Sequence, residues 1–180
     1  MPFTPIYGLP YPSLSDPPNG PAQFQALAEA VEAELDRIDD TISGVPVTQS
    51  SSVAATVSTT STTYVALAGD PGIAFTAPTS GRVMISIGGA LTGSAADTFS
   101  MMGFQVRTGN VIGSGTIVYA ANNNDVVSNE GGSDMSASKV TLVSGLTAAA
   151  SYNVQVLYKV LSGTGTAFFA RRDVIVQSVN

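Results

Sequence analysis

The sequence predicts a mainly β chain: an antiparallel β-sandwich of jelly-roll type, preceded by an extended proline-rich arm and a short coiled-coil helix. Three observations carry this. After Thr62, short apolar runs of period two recur between clusters of Gly, Pro, Asn and Asp, the pattern of a sandwich or barrel. No stretch beyond Ile42 has helical periodicity. Only 11% of the 180 residues are charged, and Thr, Ser, Gly, Ala and Val are abundant, which suits a β-rich body with a real core.

Residues 1–20 are read as the arm. Seven of the ten prolines fall within residues 1–21, where they fix φ and remove backbone donors, so an extended, partly polyproline-like course is expected. Phe3, Ile6, Tyr7, Leu9, Tyr11 and Leu14 are interleaved with them. The segment is either a free tail or an anchor laid on a partner surface. Tails are normally poor in aromatic and branched apolar residues, which favours the anchor.

Residues 21–43 are read as the helix, with Asn19 or Gly20 as N-cap and Pro21 at the first helical position. Phe24, Ala28, Val31, Leu35, Ile38 and Ile42 follow spacings of four and three, alternating heptad positions along one narrow seam. Gly44 and Pro46 close it. Such a seam fits a short parallel coiled coil better than an amphipathic helix folded on its own domain. Three strands fit better than two, although so few heptads leave the number open.

Residues 44–61 carry no charge and are expected to be a linker or an edge strand. The head is placed at residues 62–180. Its expected strands run over residues 64–68, 73–77, 82–91, 98–107, 111–120, 139–143, 152–160 and 166–179, with a stub at Val126-Val127. Pro78-Thr79-Ser80-Gly81 and Thr108-Gly109-Asn110 supply turns.

The formal charge of −6 is unevenly distributed. Residues 21–45 hold six acids against Arg37, whereas residues 47–180 hold six acids and six bases. No basic surface is available to neutralise phosphates, so nucleic acid is not an expected partner. No apolar run approaches the length of a bilayer span, and no conventional leader is visible, so neither membrane insertion nor a signal peptide is expected. Cysteine and histidine are both absent, which excludes disulfides, thiolate sites and the commonest general base.

Three segments together resemble structural proteins of tailed phages that infect actinobacteria. YGLPYPSLSDPPNGPAQFQALAEAVEAELDRID is similar to the N-terminal segment of many small virion proteins from those phages, often labelled minor tail proteins. FTAPTSGRVMISIGGAL, and VSGLTAAASYNVQVLYKV with TAFFARRDVIVQSV, resemble the β-heads of trimeric phage fibres and decorations, similar in architecture to C1q/TNF-like jelly rolls. The resemblance implies a homotrimeric component of the virion surface. Its arm, residues 1–20, would dock on the major capsid protein or on tail proteins, and its head would point outward. The capsid is slightly favoured, because so short a stalk gives little reach towards a host. The alternative is a tail-borne adhesin that recognises a host cell-wall glycan.

The inventory for catalysis is thin, and no catalytic residue, cofactor or metal is expected. Asp125, Glu130 and Asp134 share one Asn/Gly/Ser-rich loop but lack the register of a calcium loop, and turn chemistry accounts for them. Asn122, Asn123, Asn124 and Asp125 are the best candidates for an apical ligand loop. Arg171-Arg172-Asp173 interrupts an otherwise apolar last strand. Protection of an exposed sheet edge is one reading; polar contact between subunits is the other.

Overall fold

The computed structural model describes the backbone of residues 20–43 and 48–179, and the side chains of those residues except 38–43. The chain divides into two compact units, Met1–Val45 and Pro46–Asn180. The first contains α1 (Gly20–Ser43). The expected anchor residues Phe3, Ile6, Tyr7, Leu9, Tyr11 and Leu14 lie outside the described residues, as do the side chains of Ile38 and Ile42.

The second unit is a sandwich of ten antiparallel strands: β1 (Thr48–Val53), β2 (Val57–Thr59), β3 (Gly72–Thr76), β4 (Arg82–Gly93), β5 (Phe99–Thr108), β6 (Ile117–Tyr119), β7 (Val127–Glu130), β8 (Met135–Val143), β9 (Ser151–Ser162) and β10 (Ala167–Val179). One sheet has the order β1-β10-β4-β8, with β2 also on β10; the other has β3-β9-β5-β6, with β7 also on β5. β1 with β2, and β6 with β7, are broken halves of single strands. Eight strands then pair in nested fashion, first with last and fourth with fifth, which is the jelly roll.

Alternation builds the core. Val83, Ile85, Ile87 and Leu91 of β4 point inward and are fully buried, facing Val154, Val156, Tyr158 and Val160 of β9. β5 adds Met102, Phe104 and Val106. Tyr158 of one sheet meets Phe169 of the other at 4.6 Å between centroids, and within the second sheet Phe104 stacks on Tyr119 at 5.3 Å. Each buried side chain of this size contributes roughly 1.5–3 kcal/mol by leaving water.

Within residues 44–61 the structure has an edge strand, β1, whose small polar residues pair with β10 from Thr48 opposite Gln177 to Val53 opposite Arg172. The structure corrects the sequence-based boundaries in two other places. Residues 64–68 form no strand and pair with the sheet backbone through one isolated bridge, Val65 to Tyr158. Of residues 111–120 only Ile117–Tyr119 is strand, since the turns around Gly113 and Gly115, both at positive φ, use up the rest.

One irregularity shapes the last strand. Ala170 faces Ala90 and Asp173 faces Gly88, so Arg171 and Arg172 together oppose Gly89. This β-bulge shifts the parity of β10: Ala167 and Phe169 point inward before it, and Arg172, Val174 and Val176 after it. Arg171 takes φ 48°, a left-handed conformation uncommon for a residue with a Cβ.

Candidate functional site

Three groups of residues qualify: the helix seam, the loop at residues 120–126, and the bulge of β10.

Along α1 the seam is open. Phe24 is 75% exposed and Leu35 59%, and Ala28 and Val31 are also exposed. Leu27, which lies a turn from Phe24 and Val31, widens the stripe and was not part of the expected seam. The flanks are polar and organised along the helix. Gln25 donates to Glu29 at 2.8 Å, and the Arg37 guanidinium grips Glu34 through two bonds, holding its carboxyl below the usual carboxylate range. A helix with apolar residues on one stripe and water against them has an unfilled partner position.

The loop at 120–126 is closed by its own hydrogen bonds. The Asn122 Oδ1 accepts from the backbone N–H groups of Asn124 and Asp125, at 2.8 and 3.1 Å. Asp125 accepts from the Tyr119 hydroxyl, the Asn122 amide and Thr141 Oγ1. The Tyr119 bond is the main reason that its carboxyl sits below the ordinary value. Asn123 Oδ1 accepts from Lys159 Nζ at 2.7 Å and from the Tyr64 hydroxyl at 3.2 Å. Lys159 itself is only 8% exposed, with its ammonium 4.6 Å from the centroid of the Tyr64 ring. Burial pushes the Tyr64 hydroxyl up to about 12. Three of the four expected ligand residues are thus engaged inside the chain; among them, Asn124 alone leaves its side chain unengaged.

Tyr64, Tyr119, Thr141 and Lys159 belong to this cluster and escaped the sequence reading. Lys159 alone left a trace, as the single charge in the most regular strand. Asp125, Glu130 and Asp134 do not converge; among the described residues no three acids come together as a metal site.

At the bulge, the edge-protection reading of Arg171-Arg172-Asp173 needs correction, and Arg172 drops out of the inter-subunit reading. β10 is an inner strand with neighbours on each side, so its charges protect no edge. Arg172 is wholly buried and committed to its own chain. Its Nη1 donates to Asp70 Oδ1 at 2.8 Å and to the Tyr158 hydroxyl at 3.0 Å, and its Nη2 to the carbonyl of Ala55 at 3.2 Å. Asp70 also accepts from the Leu67 N–H. Burial pushes the Asp70 carboxyl upward and outweighs the lowering by these donors. Arg172 therefore stitches the break between β1 and β2, the turn at 67–71 and β9 into one body. Arg171 and Asp173 remain on the outer face of the sheet.

No protein-family profile matches the chain. No curated protein matches it either. Among solved structures it is similar to the capsid of the T13 infectious bursal disease virus particle, at 16% identity and a TM-score of 0.39, over 74% of this chain and 31% of that one. It is also similar to the CBM22-1 xylan-binding domain from Paenibacillus barcinonensis Xyn10C, at 12% identity and a TM-score of 0.37, over 74% of this chain and 83% of that one. A third likeness is to the Bacillus endospore appendages, at 14% identity and a TM-score of 0.30, over 77% and 94% of the two chains. Identities and TM-scores this low assign the chain neither a family nor a function.

Proposed function

We propose that the chain is a structural bacteriophage virion protein, a homotrimeric decoration or short fibre on the particle surface. In this reading residues 21–43 form a trimeric stalk, the jelly roll forms the head, and residues 1–20 dock on the particle, at the capsid in preference to the tail. The supporting observation is the exposed seam of Phe24, Val31 and Leu35, which copies of the same helix would bury. The similarity of the N-terminal segment to small phage virion proteins supports the choice of particle. The chain is assigned no catalysis.

An adhesin acting through Asn122, Asn123, Asn124 and Asp125 is the weaker alternative, because the loop spends its polar groups on itself. The reading is tested by adding gold-tagged full-length chain, and a version lacking residues 1–20, to purified particles of the phage that encodes it, stripped of the native protein. Label over the capsid, lost with residues 1–20, is the expected outcome. Label confined to the tail would reverse the attachment site, and particles that bind neither version would overturn the proposal.

A further inference from the structure

The outer face of the β10-β4-β8 sheet carries a feature apart from the proposed helix seam. Two open depressions, of about 440 and 370 Å³, lie side by side on it, and Arg171 and Ala90 line both. They exist because the centre of β4 has almost no side chains. Gly88 and Ala90 leave the surface low, Ala170 continues it onto β10, and the small Ser136 and Ser138 continue it onto β8. A Cβ at Gly88 would meet the Asp173 carboxylate at 2.8 Å, so a larger residue there would displace that side chain.

Polar groups of both signs stand around this floor. Arg171 is placed on this face by the bulge, and among the described residues its guanidinium makes one hydrogen bond, a long one of 3.4 Å to Ser136 Oγ. Asp173 lines one depression and Asp134 the other, and among the described residues neither has a hydrogen-bond or ion-pair partner. Phe168 offers a half-exposed ring at the Asp134 end, beside the hydroxyls of Thr56 and Thr92. A bulge that turns one charged residue out at left-handed φ, and the next into the core, is a costly way to place a guanidinium on a flat surface.

We propose that this groove binds a short neutral oligosaccharide. Hydroxyl groups both donate and accept, so a sugar satisfies Arg171, Asp173 and Asp134 at once. The C–H face of a pyranose lies on Phe168 and on the alanine floor. Two acids against one arginine repel a polyanion, while Arg171 opposes a cationic ligand. Volumes of this size fall in the range of small-molecule sites. The site is distinct from the loop at 120–126 and holds whether or not the chain is a virion protein.

The test uses isotope-labelled full-length chain, titrated to millimolar concentration with cellohexaose, maltohexaose, mannohexaose and N-acetyl-chitohexaose and followed by backbone amide shifts. At least one of these is expected to move the amides of Gly88, Ala90, Phe168 and Asp173. R171G removes the guanidinium while suiting the left-handed backbone, so it should keep the fold and weaken that saccharide about tenfold or more, as losing charge-assisted hydrogen bonds would. D173N, which alters charge with little change in shape, should weaken it as well. Shifts confined to Asn122–Asp125, or no shift with any of the four, would overturn the proposal. So would a folded R171G that binds normally. An R171G chain of lower native mass than the parent would hand the groove to a second copy and overturn it equally.

Discussion

Arg172 is the residue on which the head depends most heavily, and its cost is legible in its surroundings. A guanidinium with no exposed surface is tolerated because Asp70, Tyr158 and the Ala55 carbonyl accept hydrogen bonds from its two terminal nitrogens, while its Nε lacks a partner among the described residues. Breaking such a pair from one side leaves a buried charge unmatched, so Arg172→Met alone should lower unfolding stability by about 3–5 kcal/mol. The double change Arg172→Met with Asp70→Asn should recover much of that loss, and urea denaturation of the two variants decides it. Asp125 supports a different prediction. Its pKa is lowered on folding, chiefly by the Tyr119 hydroxyl, so its contribution is present above the unfolded value near 3.8 and is lost as pH falls through the folded one. Protection of the Asn122–Asp125 amides, corrected for the intrinsic pH dependence of exchange, should therefore fall below pH ~4 while that of β4 and β9 does not change; uniform behaviour of loop and core would refute this. Neither Arg172 nor Asp125 was legible at this scale in the sequence. A string such as Ala-Gly-Asp70-Pro-Gly reads as an ordinary turn, and nothing local shows that its carboxylate meets an arginine 102 positions later.

At the scale of elements, what could be read was whatever repeats. The period-two runs of β3, β4, β5, β9 and β10 gave strands close to the observed ones, since alternation is what burial on one face imposes. β1 was ambiguous because Thr-Gln-Ser-Ser-Ser has no apolar face, and its pairing is decided by β10 opposite it. The bulge did leave a trace: no single parity puts Phe169, Val174 and Val176 on the same side, so one residue had to be extra. The helix was read from its start signals and spacing, and α1 spans Gly20–Ser43. Its seam is the element on which the proposed assembly rests. Replacing Phe24 and Leu35 together by Ser should lower the native mass of the full chain while leaving the near-ultraviolet spectrum of the head's tyrosines unchanged. A double variant of unaltered mass would show that association, if present, runs through another surface.

At the scale of the whole molecule, the two units face opposite physical problems. The jelly roll closes its own core: valines, isoleucines and rings from two sheets bury one another. The helix has no such solution within its own length, because an amphipathic helix draws most of its stability from packing its apolar face and this one carries its largest apolar side chain in water. Composition had already separated these regions, with six acids and one base in residues 21–45 and a neutral balance after them. The central claim is that copies of the chain bury the Phe24–Leu35 seam against each other. Sedimentation equilibrium of the full-length protein tests it most directly. A trimer of about 55 kDa, three times 18.3 kDa, is the expected result, and a monomer of 18.3 kDa at micromolar concentration would contradict it.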